Sequence, residues 1–223
     1  GLDNIAVGMF ALGSNTTGST NTAIGKNALY GNTTASNNTA VGKSALGVNT
    51  TGADNTSIGS SSLAANTTGT LNTASGSNAL RYNTTGSNNT ALGRLALYTN
   101  TTADNNTAVG LSALFANTTG TRNTAVGLSS LAANTTASNN TAFGAYAADS
   151  ITTGSSNTAV GDAALSANVT GSYNTAVGNE AQLLTTGSSN SSLGFKSLRN
   201  NTTGVDNVAV GYGSLQNNTT ASN

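Results

Sequence analysis

Asn106–Arg122 reads NTAVGLSALFANTTGTR, and Asn123–Asn139, which follows at once, reads NTAVGLSSLAANTTASN. The two seventeen-residue segments differ at five places, and the search for internal repeats therefore comes before any other reading. With Asn4 as position 1, the pattern restarts at Asn21, Asn38, Asn55, Asn72, Asn89, Asn106, Asn123, Asn140, Asn157, Asn174, Asn190 and Asn207. That makes thirteen copies of N-T-A-V-G-x-x-A-L-x-x-N-T-T-G-x-x across residues 1–223, read as a single repeat domain. One step, Asn174 to Asn190, is a residue short. The loosest part of that copy, Gly178 to Thr185, is where the loss is expected.

The columns are strict. Position 1 is always Asn and position 5 always Gly, position 4 is Val, Ile, Leu or Phe except at Ser75, and positions 3 and 8 are held to Ala or Ser. Asn, Thr and Gly are poor helix formers, and seventeen residues are too few for a pair of helices. The unit is read as one turn of a parallel β-solenoid or β-roll, all-β, of about thirteen coils. N-T-A-V-G supplies one strand, A-L with its flanks a second, and Gly42, Gly110 and Gly127 mark corners that need a positive φ. N-T-T-G/A makes the other turn. Stacked about 4.8 Å apart, the coils would make a rod about 60 Å long.

Side chains alternate across a strand. Taking the larger residue as the inward one places Val41, Val109 and Val126 in the core with Leu46, Leu114 and Leu131, and turns Ala108 and Ala113 outward as a tight packing face. A coil so thin gains from apolar contact between chains, so a homo-oligomer is expected, a homotrimer about a three-fold axis. The first copy, G-L-D-N-I-A-V-G, and the last show no charge cluster or Pro to blunt a sheet edge. The rod is thus expected to continue or to stack end to end into a filament, and a chain opening on Gly1 is expected to be processed or an excerpt.

The N-T-A-V-G-x-x-A-L-x-x-N-T-T-G array resembles repeat arrays of phage tail-fibre-like and bacterial surface fibre proteins, which often end in an endosialidase-type intramolecular chaperone. More distantly, Ala40-Val41-Gly42 and Ala23-Ile24-Gly25 are similar to the cores of trimeric autotransporter adhesin head repeats, whose period is shorter. The resemblance implies a β-roll, a trimer and an extracellular, cell-surface or virion location.

Composition removes much of the alternative chemistry. Seven basic and seven acidic residues, with no net charge, leave no electrostatic footprint for nucleic acid, and no apolar run is long enough for membrane insertion. There is no Cys and no His, so thiol catalysis, Cys or His zinc sites and Ser-His triads are excluded. Asp3, Asp54, Asp104, Asp149, Asp162 and Asp206 are too scattered for a ladder of calcium sites, and Glu180 is the only Glu. The chain is expected to be non-enzymatic, without cofactor or metal.

Three columns remain as candidate sites. Position 12 (Asn15, Asn32, Asn49, Asn66, Asn83, Asn100, Asn117, Asn134, Asn168, Asn201 and Asn218) matches the glycosylation acceptor pattern. The competing and favoured reading is an Asn ladder bonded from coil to coil. Thr at position 2 and at positions 13 and 14 forms ranks that could bind ice, against the plainer reading of Thr as a β-former. Tyr30, Tyr98 and Phe115 at position 10 read as surface or inter-chain packing, with carbohydrate stacking as the alternative. Lys26, Lys43, Arg94 and Lys196 after the Gly read as solvated edge charges. The functional expectation is a fibre shaft or stalk whose partner is itself, with an adhesin or an ice- or glycan-binding solenoid as the alternative.

Overall fold

The computed structural model describes residues 1–222, and they form two compact units, 1–109 and 110–222, both all-β. The first carries β1 (Ile5–Val7), β2 (Thr22–Ile24), β3 (Thr39–Val41), β4 (Thr56–Ile58), β5 (Thr73–Ser75), β6 (Thr90–Leu92) and β7 (Thr107–Val109). The second carries β8 (Thr124–Val126), β9 (Thr141–Phe143), β10 (Thr158–Val160), β11 (Thr175–Val177), β12 (Ser191–Leu193) and β13 (Val208–Val210). Within each unit every strand pairs in parallel with the next, copy on copy, as in Thr39↔Thr56 and Ala40↔Ser57. This is the parallel β-solenoid expected from the repeat, and no described residue is helical.

Each coil has one strand rather than two. The stretch expected to form the second strand, positions 6–11, is a run of turns, because positions 7 and 9 adopt a left-handed backbone: Ser44 has φ 56° and Leu46 φ 50°. Ala28 N–H donates to Gly25 O at 3.2 Å and Asn32 N–H to Leu29 O at 3.2 Å, closing two successive turns. These turns still stack. Leu29 N–H donates to Ala45 O of the next coil at 3.0 Å, and Asn27 N–H to Met9 O of the preceding one at 3.0 Å. Coil-to-coil hydrogen bonds therefore run through the corners as well as the strands, which offsets a left-handed cost of about 1–2 kcal/mol per non-glycine residue.

The corner glycines are confirmed: Gly42, Gly110 and Gly127 have φ 134°, 134° and 135°. A Cβ on Gly42 would lie 2.5 Å from the Gly59 carbonyl oxygen of the next coil, so both backbone angle and close approach demand Gly.

The faces are the reverse of the expectation at the strand. Ala40, Ala108 and Ala125 at position 3 are fully buried, and so is Ala113 at position 8, whereas Val41, Val109 and Val126 at position 4 face outward, half-buried. Leu46, Leu114 and Leu131 are fully buried, as expected. The alternation was read correctly, but size misled, because the coil is so thin that Leu at position 9 and two Asn ranks leave the strand's inner face room for Ala or Ser only. Where position 3 becomes Ser, position 8 does too: Ser57 Oγ and Ser62 Oγ share a 2.5 Å hydrogen bond in the interior. Ser192 and Ser197 repeat the substitution, and both are buried.

The short copy loses its residue later than expected. Leu184 N–H still donates to Arg199 O in normal register, and Asn174 Nδ2 reaches Gly187 O as its counterparts reach position 15. One of the residues of the T-T turn is absent, between Thr185 and Gly187, where a turn can close with one residue fewer.

Candidate functional surfaces

The position-12 column is a ladder. Asn66 Nδ2 donates to Asn49 Oδ1 at 2.9 Å, Asn83 Nδ2 to Asn66 Oδ1 at 2.8 Å, and Asn134 Nδ2 to Asn117 Oδ1 at 2.8 Å. Asn32, Asn49, Asn66, Asn83, Asn100, Asn117, Asn134, Asn168 and Asn201 are fully buried, while Asn15 and Asn218 in the outermost copies are half-buried. An amide enclosed in this way has no room for a glycan in the folded coil.

A second buried ladder, at position 1, was visible in the sequence only as an invariant column. Asn38 N–H donates to Asn21 Oδ1 at 3.0 Å, and Asn55 N–H to Asn38 Oδ1 at 3.0 Å. The two ladders meet at position 15, where the Gly69 carbonyl accepts from Asn55 Nδ2 and from Asn66 Nδ2, both at 2.9 Å. This clamp ties the coil shut across its interior, and it explains why the opening N and the N-T-T-G of the same copy recur together.

The ladder is broken twice where the other copies have Asn, at Thr185, beside which Asn201 Oδ1 is buried without a partner, and at Ile151. Asn134 Oδ1, on one side of it, and Asn168 Nδ2, on the other, are buried without a partner. In the same coil position 9 is Ala148 in place of Leu, so a large apolar side chain has moved from position 9 to position 12, and both residues are buried.

The hydroxyls at position 13 are engaged internally: Thr50 Oγ1 donates to Thr67 O at 3.0 Å and Thr84 Oγ1 to Thr101 O at 3.0 Å. Their donors are thus spent on the stack and only the hydroxyl acceptors remain toward water. The Thr at position 2 differ, lying half-buried on the outward face of the strands beside position 4.

That outward face is the most unusual surface of each unit. Position 4 presents Ile24 (40% exposed) and Ile58 (43%) in the first unit, and Phe143 (44%) and Leu193 (52%) in the second, one apolar side chain per coil except at Ser75. Between Thr175, Val177, Leu193, Val208 and Val210 the face opens into an apolar trough of about 200 Å³. So regular an apolar rank left in water is unusual for a protein surface.

The aromatics lie elsewhere on the coil. Tyr82 and Tyr98 meet edge to face at 5.0 Å, with Arg81 over the Tyr82 ring at 5.4 Å, and Tyr98 is held above the usual phenol range by its hydrogen bond to Tyr82. Tyr30 packs edge to face on Phe10 at 6.2 Å, and Phe115 is half-buried. The Tyr30 and Tyr98 contacts are made within the chain. The charged residues form one cluster: Glu180 accepts from Arg199 Nε at 2.6 Å and lies 3.9 Å from Lys196 Nζ. The Arg199 hydrogen bond, followed by the Lys196 and Arg199 charges, holds the Glu180 carboxyl below its usual range. Lys26, Lys43 and Arg94 are exposed. No described residues group into a metal site.

Comparison with known protein families and with curated proteins finds no match to this chain.

Proposed function

We propose that the chain is a non-enzymatic structural element, the shaft or stalk of an extracellular or virion-surface fibre, built from copies of itself assembled as a homotrimer. The observation that carries this reading is the pairing of an interior filled by Asn ladders, Ala and Leu with an exterior apolar rank that runs through every coil but that of Ser75. Two Asn ladders, the Ala and Leu columns and the stacked corners fill the inside of each coil, leaving it to support its neighbours. In such an array each coil templates the next and stability grows with coil number. The apolar rank at position 4 has the regular spacing that another copy of the same rank would match. Electron microscopy of the native object tests the reading. Fibres whose cross-section holds several chains are expected, and isolated single-chain particles at every concentration would overturn it.

A second reading is favoured by one observation. The position-2 Thr share a flat outward strand face with position 4, so the surface could act as an ice- or glycan-contacting face instead of a contact between chains. Thermal hysteresis in a monomeric preparation would favour it, and its absence would remove the ice-binding form.

A further inference from the structure

In the first unit the two flanks of the strands carry opposite charge. The residues leading into strands include Asp3, Asp54 and Asp104, and those following strands include Lys26, Lys43 and Arg94. No basic residue lies on the leading flank of this unit and no acidic residue on the following flank. None of the six forms an ion pair among the described residues. Asp54 accepts only a hydrogen bond from Asn37 Nδ2 at 3.1 Å, and Asp104 one from the Ser87 N–H at 2.6 Å.

The positions are matched along the stack. Lys43 follows β3 and Asp54 leads into β4; Arg94 follows β6 and Asp104 leads into β7. In both cases base and acid are one strand apart, about 4.8 Å along the stack. In the second unit Lys196, after β12, and Asp206, before β13, have the same relation, but Lys196 is already shared with Glu180. Arg122 before β8, Asp162 after β10 and Glu180 after β11 are placed the other way, so the sorted flanks belong to the first unit.

Resting on the self-assembly reading above, we propose that these flanks set the orientation of assembly: copies associate side by side, all pointing the same way, with Lys43 and Arg94 of one copy facing Asp54 and Asp104 of the next. The geometry follows from strand direction. When copies turn their position-4 faces toward a common axis parallel to the stack, strands run head to tail around it, and the following flank of one copy meets the leading flank of its neighbour. At equal height each Lys or Arg then lies within one strand spacing of an Asp, inside the reach of its side chain. Placing two copies of this unit face to face in opposite directions keeps their strands parallel instead, and sets acid on acid and base on base. The apolar rank supplies the association and the flanks choose among its arrangements, the usual division of labour between burial and charge at an interface.

The test is an exchange of charge. The wild-type chain is expected to associate. Lys43→Asp with Arg94→Asp makes both flanks acidic and should weaken association on the order of 10- to 100-fold at low salt, with circular dichroism unchanged. Adding Asp54→Lys and Asp104→Lys reverses both flanks and should restore association to near the wild-type level. Oxidising the Lys43→Cys/Asp54→Cys variant should give closed covalent oligomers, since the chain has no other Cys. A full exchange as weak as the first pair, or a disulfide dimer from Asp54→Cys alone, would overturn the orientation while leaving self-assembly standing. A wild-type chain that is monomeric throughout would overturn both.

Discussion

Asn66 Nδ2 lies 2.9 Å from Asn49 Oδ1 in the preceding coil, and the same amide holds the Gly69 carbonyl at 2.9 Å. One side chain thus joins its coil to a neighbour and closes its own turn. Asn66→Asp keeps the shape and the acceptor used by Asn83 but loses both donors and buries a carboxylate. The expected loss is about 3–5 kcal/mol at neutral pH. Burial raises the folded-state pKa of the new carboxyl above its unfolded value, so the loss relative to wild type should shrink as pH falls through the carboxylate range, where the neutral acid regains one donor. Thermal unfolding of both chains from pH 7 to pH 3 checks the sign.

Gly42 and Gly52 make a paired test. Gly42→Ala meets both a φ of 134° and the Gly59 carbonyl, and should cost about 3 kcal/mol or more. Gly52 sits at position 15, where a Cβ would also approach a carbonyl, Gly69 O at 2.3 Å. Its φ is not left-handed, however, and the same position holds Ala35, Ala103 and Ala137 in other copies, so Gly52→Ala needs a local shift and should cost clearly less than Gly42→Ala. Denaturant midpoints compare the two directly.

Ala148 and Ile151 are expected to be coupled. Ala148→Leu alone overfills a coil already holding Ile151, at about 1–3 kcal/mol. Ile151→Asn alone supplies the missing ladder rung but leaves the space beside Ala148 open. The double change restores the pattern of the other copies and pairs the orphaned Asn134 Oδ1. It should be more stable than either single variant, with a coupling of about 1–3 kcal/mol in a double-mutant cycle.

Glu180 has a depressed carboxyl pKa through its Arg199 hydrogen bond and the neighbouring Lys196 charge. Its contribution is present above the unfolded pKa of a Glu and is lost as pH falls through the lower folded value. The side chain is solvent-accessible, so the effect is small and screened by salt. Wild type should therefore lose a little more thermal stability between pH 5 and pH 3 than Glu180→Gln does, and 1 M salt should erase the difference.

Much of this fold was legible because the period of seventeen, the invariant Asn and Gly columns and the β-forming residues all agree. The ladder at position 12 and the buried Leu at position 9 were legible for the same reason. The inside and outside of the strand were not, because Val109 is larger than Ala108 and greater burial was assigned to the larger residue; a coil filled by Leu114 and two Asn ranks reverses that rule. The left-handed backbone of Leu46 and Leu114 was also hidden, since Leu rarely adopts it and only the stacked hydrogen bonds make it tolerable. The outward rank at position 4 therefore came from the structure, although its residues were plain in the sequence.

The central claim is that this rank is covered by other copies of the chain. The most direct measurement is the solution mass of the wild type beside a variant carrying Ile24→Asn, Ile58→Asn, Leu92→Asn and Val126→Asn, by light scattering across a range of concentrations. The account predicts a wild-type mass that is a multiple of 21.7 kDa, three-fold for the trimer, and a variant of unchanged circular dichroism at the single-chain mass. A wild type that stays at 21.7 kDa at every concentration, or a variant that assembles as well as the wild type, would contradict it.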